Sequence, residues 1–230
     1  MQAAPRSFSL SRVISGWWWL LNRDGLRLIQ FAAFWVLVKF GLYALDHALG
    51  LNQGLGLLST TLLLDPFFYG VFYLVALSDD GSGPMQVRGE ASRRFLALLG
   101  LAVMSGAGII IGMFFLIIPG IALAVLWSVA TPVLLAENKG PVEALQTSFS
   151  YVKTHFWPVF GAIFIYVVGV IAISIFFVFM GVESETGAPG PILAIDSLIE
   201  VVFAIIEVYL YTAIYRELAF RDQNVADVFD

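Results

Sequence analysis

Apolar positions run without a single charge from Phe95 to Ala136, with Pro119-Gly120 near the middle. As one helix this run would reach roughly 60 Å at 1.5 Å per residue, about twice the hydrocarbon thickness of a bilayer. The Pro-Gly pair resolves the mismatch, because proline ends the donor ladder and glycine permits a tight reversal. The pattern therefore predicts two helices, 95–118 and 121–136, with a hinge or turn at Pro119 and Gly120. That turn contains no charged or strongly polar residue, so it is expected to stay in the interfacial layer or pack inward against its neighbours. Applied to the rest of the chain, the same alternation of apolar runs and polar breaks predicts helices at 26–49, 55–77, 157–180 and 192–220. The expected fold is an all-α membrane protein, with six transmembrane helices in three hairpins forming a single domain over residues 1–230.

Two further segments have a helical period without the length to cross. Val142, Leu145, Phe149, Val152 and Phe156 recur at spacings of three and four, opposite Glu143, Gln146, Thr147, Ser150 and Lys153. Gly140-Pro141 supplies a start to this helix, predicted over 141–156. Leu10, Ile14, Trp17 and Leu21 make a similar stripe in a segment predicted over 8–22, widened by Val13 and Trp18. Both segments are expected to be amphipathic interfacial helices, and Trp17-Trp18-Trp19 suits a headgroup layer where indole is half wet.

Composition agrees with the pattern: 60% of residues are hydrophobic and 13% charged, and the mean hydropathy is +0.89. Those values lie outside the range of an ordinary globular domain. The absence of cysteine excludes disulfides and thiolate metal sites. The opening "MQAAPRSFSLSRVISGWWWLLNRDG" lacks a continuous apolar core and is not read as a signal peptide. The placement of basic residues carries more information. Arg6, Arg12, Arg23, Arg27, Arg88, Arg93, Arg94, Lys139, Lys153, Arg216 and Arg221 all fall on one side of the six-helix layout. The positive-inside rule then puts both termini and the two long polar links in the cytoplasm. Only Lys39, inside the first crossing, is left over from that set.

Ionisable residues at membrane depth are costly, and each raises a question of function. Lys39 and Asp65 lie about midway along antiparallel neighbours, where an ion pair is feasible. Asp65-Pro66 suggests an interrupted helix whose next turn the carboxylate caps. Asp196, Glu200 and Glu207 share one face of the last crossing by spacings of four and seven, with Asp196 near the outer surface. Glu200 and Glu207, roughly 10 Å apart along the axis, are either steps of a proton or cation path or acceptors for Tyr or Ser that specify packing. Tyr209, Tyr211 and Tyr215 are assigned to the cytoplasmic aromatic belt. "GAGIIIG", residues 106–112, follows no strand and reads as close helix packing by small residues. His47 and His155 fall on opposite sides of the membrane in this layout and share no metal. No phosphate loop, nucleophile elbow or zinc motif occurs.

Residues 116–160, "LIIPGIALAVLWSVATPVLLAENKGPVEALQTSFSYVKTHFWPVF", carry a more specific signal. Ile-Pro-Gly is followed by Pro132, then Glu137 and Gly140, then Ala144, Leu145 and Ser148, then Lys153 and Trp157. In order and spacing this resembles the core of the YciC-like inner-membrane proteins, and of the membrane domain attached to some glycerophosphodiester phosphodiesterases. The sequence departs from that pattern at Gln146 and Thr147, where many members have arginine after Ala-Leu. The resemblance implies a bacterial inner (cytoplasmic) membrane and a phospholipid setting, without the soluble catalytic barrel of those enzymes.

The function expected from these features is non-enzymatic, without cofactor or metal: a structural or partner-binding role in membrane or lipid homeostasis. Its partners would be membrane lipids and another membrane protein or a second copy of the chain, and not nucleic acid. The different-class alternative is a small transporter or lipid translocator using Asp65, Glu200 and Glu207. An integral-membrane lipid enzyme ranks third, since it needs clustered carboxylates or histidines at one membrane face.

Overall fold

The computed structural model describes residues 8–49, 64–78, 84–179 and 190–226, and every regular element among them is helical. In chain order these are α1 (Leu10–Leu49), α2 (Asp65–Leu77), α3 (Pro84–Arg93), α4 (Phe95–Phe115), α5 (Ile117–Leu126), α6 (Ala130–Ala136), α7 (Pro141–Lys153), α8 (Phe156–Phe179) and α9 (Gly190–Ala226). Among the described residues, five stretches are long and apolar enough to cross a membrane: Leu10–Leu42, Phe95–Phe115, Ile117–Ala136, Phe156–Phe177 and Ser197–Ala219. The chain is thus all-α with the helices of a membrane protein. The expected second crossing, 55–77, is described only over α2, whose 13 residues reach roughly 20 Å.

α2 is the centre of the assembly. It packs against α1, α3, α4, α6 and α9, and α1 runs antiparallel along α9. Phe68, Val71, Phe72, Tyr73, Val75 and Ala76 of α2 are all buried. Opposite them α1 presents Leu20, Leu28, Phe31 and Trp35 at spacings of three, four and eight, one helical face. Trp35 stacks on Phe68 with ring centroids 5.1 Å apart. α8 has the opposite character. Phe164, Ile165, Val168, Ile171 and Phe176 point outward, as a lipid-facing helix requires, since hydrocarbon is as good a solvent for them as a protein core.

Three expectations change. The first surface helix is not separate from the first crossing: α1 is continuous for 40 residues through Arg23, Asp24 and Gly25. The reason is that Asp24 is buried on the protein-facing side and Trp17 Nε1 donates to Ile206 O at 3.3 Å, so this segment leans on α9. In the second surface helix, α7, Leu145 and Val152 of the expected stripe are buried, but Val142 and Phe149 are exposed. Ala144 and Ser148 complete the inward face instead.

The third change concerns Pro119 and Gly120. The reversal between α4 and α5 is at Leu116, whose φ of −158° and ψ of 126° are extended. Pro119-Gly120 lies just inside α5, where a missing N–H costs nothing because first-turn donors have no intrahelical partner. Gly120 serves packing and not the turn. A Cβ built on it would stand 2.6 Å from Met113 N and 2.8 Å from Met113 Cα, and one built on Gly112 would stand 3.0 Å from Gly120 Cα. The two backbones therefore touch through glycine, and Gly108 admits the ring of Trp127 in the same way. Of the glycines in 106–112, Gly108 and Gly112 do make close helix contacts, while Gly106 faces open space.

This geometry yields a prediction. Gly120→Ala must push against backbone atoms of Met113 and is expected to destabilise the protein by about 1–3 kcal/mol. Gly106→Ala, meeting nothing, is expected to stay within about 0.5 kcal/mol or gain slightly from helix propensity. Thermal unfolding of both purified variants in one detergent compares them; equal melting temperatures would refute the packing role of Gly120.

Candidate intramembrane polar site

Lys39 continues the buried face of α1, one turn beyond Trp35, and is only 6% exposed. Its ammonium donates to Glu200 Oε2 at 2.8 Å, lies 3.4 Å from Asp65 Oδ1, and sits 5.0 Å from the centre of the Trp35 ring. One cation thus ties α1, α2 and α9 together. The expected Lys39–Asp65 pair is present, and Glu200 joins it from the last crossing. Among the described residues the group carries two carboxylates against one ammonium. The carboxylate of Asp65 turns to Lys39 and makes no cap hydrogen bond at the start of α2, contrary to the expectation. Asp65 Oδ1 meets Lys39 at ion-pair distance, and among the described residues the buried Trp35 Nε1 has no acceptor.

Glu207 lies two turns along the same face of α9 but has different neighbours. Tyr69 OH of α2 donates to its Oε2 at 3.4 Å, and Tyr211, one turn on, is its second hydroxyl partner. Tyr166 of α8 closes the group from the side, donating to Phe203 O at 3.1 Å. Glu200 and Glu207 therefore belong to separate clusters, one ionic and one phenolic. The side chains of Asp196 and His47 lie outside the described residues. His155 Nδ1 is 2.9 Å from its neighbour Thr154 Oγ1. Among the described residues, no three His, Asp or Glu side chains converge on a metal position.

A third cluster, at the other end of α2, was not anticipated. Arg23 donates to Val75 O and Ala76 O, both at 3.2 Å, and Arg216 donates to Ala76 O at 3.1 Å and Leu77 O at 3.3 Å. These are final-turn carbonyls without intrahelical partners, and a positive charge there also suits the helix dipole. Arg23 is paired to Asp24 at 2.8 Å, and Tyr209 OH donates to the same carboxylate at 3.0 Å. The sequence did hold a signal for Asp24. Leu20, Asp24, Leu28, Phe31, Trp35 and Lys39 form one continuous helical stripe, and a charge on an otherwise apolar stripe is a charge that will be buried.

Glu137, picked out by family resemblance, is the acceptor of a fourth cluster. It takes hydrogen bonds from Lys139 Nζ at 2.6 Å, Tyr151 OH at 3.1 Å and Tyr215 OH at 3.2 Å. Asn138, beside it, has a left-handed φ of 55° that turns the chain into Gly140 and α7. Ser148 Oγ donates to Leu126 O at 2.8 Å, satisfying the last carbonyl of α5 where the helix jogs into α6. Pro132, Ala144 and Leu145 are buried around this joint, while Trp157 is 75% exposed. Tyr209 and Tyr215 are buried, with 0% and 8% exposure, and Tyr211 serves Glu207. The three tyrosines assigned to an aromatic belt are therefore interior hydroxyl donors, each to a different carboxylate.

No family model, curated protein or solved structure matches this chain. The reading of its function accordingly rests on these four clusters.

Removing one partner from a buried ion group is far costlier than removing all of it. Lys39→Met is expected to cost about 2–3 kcal/mol, chiefly by leaving Asp65 unpaired, since the Glu200 side chain is 46% exposed. Adding Asp65→Asn and Glu200→Gln to Lys39→Met is expected to recover most of that loss. Melting temperatures of the single and triple variants check this, and a triple variant no more stable than the single one would contradict it.

Proposed function

We propose that this chain is a non-enzymatic, polytopic component of a bacterial inner membrane, acting as a structural or partner-binding protein in membrane or lipid homeostasis. The observation that carries the reading is that the charged groups of its apolar helices are tied to other parts of the chain. Lys39 engages Asp65 and Glu200, and Glu207 is met by Tyr69 and Tyr211. Groups arranged in this way specify which helices meet and in what register. In this proposal six helices cross in three hairpins, both termini are cytoplasmic, and α2 is the inner part of the second crossing. The one-sided distribution of Lys and Arg supports that orientation. The YciC-like assignment is part of the same proposal and rests on the order and spacing of Pro132, Glu137, Gly140, Ala144, Leu145 and Ser148 in the sequence.

One observation favours the transporter alternative. Among the described residues the Lys39 group sets two carboxylates against one ammonium, an excess of one negative charge, and the Glu200 side chain is 46% exposed. A proton or monovalent cation would neutralise that excess.

Two measurements test these readings. Because the chain has no cysteine, single substitutions Ser150→Cys and Gly190→Cys report the sides of the membrane directly. An impermeant maleimide added to intact cells is expected to label Gly190→Cys but to leave Ser150→Cys unlabelled until the membrane is opened; the reverse result rejects the orientation. For function, lipid composition and co-purifying proteins are compared between cells with and without the tagged chain, and proteoliposomes are assayed for proton and sodium flux. A changed lipid profile or a stoichiometric partner without flux is expected. Flux abolished by Glu200→Gln would establish the transporter instead.

A further inference from the structure

Gln30 is an amide on the outward side of an apolar helix. Phe31, Trp35 and Lys39 of α1 face the protein and are buried. Gln30, nine residues or about two and a half turns before Lys39, points the other way and is exposed. Leu26, Ile29, Phe34 and Leu37 stand around it, all exposed, so this is a surface that hydrocarbon covers. Its depth follows from Arg23, which holds the last carbonyls of the apolar α2; Gln30 lies seven residues further along, roughly 10 Å. A side chain with two methylenes does not span that distance back to the headgroups, as a lysine or arginine can. Asn22 returns its amide to Trp18 O at 2.9 Å. Gln30, in contrast, makes no hydrogen bond among the described residues, although its amide has donors and an acceptor to satisfy and lipid tails offer it nothing.

The same side of α1 is shaped for another helix. Leu26, Gln30, Ala33, Leu37, Gly41 and Ala44 are all exposed and follow one another at spacings of three and four, one continuous face. Nothing lies within 4 Å of the place a Cβ on Gly41 would take, which leaves the backbone open to close approach. We infer that this face pairs with the same face of a second copy of the chain, through reciprocal hydrogen bonds between the two Gln30 amides. Two copies inserted in one membrane share an orientation, so their α1 helices run parallel. A two-fold axis along the membrane normal then sets Gln30 level with Gln30, and glutamine is its own complement, since each amide N–H donates to the other carbonyl. The face is free of charge, as pairing around an axis requires, because like charges would meet there. Arg27, beside Gln30 on α1, is turned about 60° off this line. The inference names a partner for the proposed structural role and rests on the reading of the chain as a membrane component.

The test exploits the absence of cysteine. The full chain carrying Ala33→Cys or Leu37→Cys is oxidised with copper phenanthroline in native membranes, and disulfide-linked dimers are expected. Ile165→Cys, at a position also exposed but on α8, is expected to give none. Adding Gln30→Leu to Leu37→Cys is expected to lower cross-linking about tenfold, whereas Gln30→Asn, which keeps an amide, retains most of it. Gly41→Leu, which props the backbones apart, is expected to act in the same direction as Gln30→Leu. No dimer at either α1 position, equal cross-linking at Ile165→Cys, or cross-linking unchanged by both Gln30→Leu and Gly41→Leu would overturn the inference. A different stoichiometric protein released by Gln30→Leu, with no dimer, would assign the face to a foreign helix and reject self-pairing. Absence of dimers together with an altered lipid profile in cells lacking the chain would leave the wider role standing. Dimers linked through α1, in cells whose lipids and other proteins do not depend on the chain, would keep the pairing and reject that role.

Discussion

The structure depends on the two ends of α2. In an apolar medium the last carbonyls of this helix have no partner in its own ladder, and water is not at hand to supply one. At the C-terminal end the repair comes from Arg23 of α1 and Arg216 of α9. At the other end Asp65 is held by Lys39 of α1, which also holds Glu200 of α9. The same two helices therefore grip α2 at top and bottom, and their own antiparallel pairing is the consequence. Between the grips the contact is apolar and aromatic, with Trp35 stacked on Phe68. Polar contacts set the register, and the buried apolar face supplies the adhesion.

Carboxylates elsewhere meet a softer solution. Asp24, Glu137 and Glu207 each accept a hydrogen bond from a tyrosine of α9. A phenol donates without bringing a second charge out of water, and its ring contributes to the surrounding core. α9 alternates in this way between carboxylate and hydroxyl along its buried side. It touches α1, α2, α6, α7 and α8, so it is the element through which the separate clusters communicate. The α4–α5 pair is assembled on a different principle, backbone against backbone through Gly112 and Gly120, which dispersion alone rewards in a medium as apolar as the side chains.

How far all this was legible differs from residue to residue. The long helices were, because the medium imposes their length and composition and no neighbour has a vote. The Lys39–Asp65 contact was legible because an ion in hydrocarbon must have a partner and few were available. The true place of the reversal was not: Pro119-Gly120 has the chemistry of a turn, and only the contact of Gly120 with Met113 shows that the glycine was needed for approach. The tyrosines of α9 were misjudged for a related reason. Tyrosine suits an interface and a buried hydrogen bond equally well, and which of the two applies depends on what stands opposite.

By itself the sequence determined that this is an all-helical chain with membrane-length apolar segments, and that charges lie within them. Those are properties of a segment and its solvent, readable one stretch at a time. Only the tertiary structure decided that Glu200 joins Lys39 while Glu207 joins tyrosines, that Asp24 is interior, and that two arginines close the end of α2. Each of these depends on a partner more than fifty residues away in the chain. Periodicity says which way a side chain points along its own helix, and only packing says what it meets there.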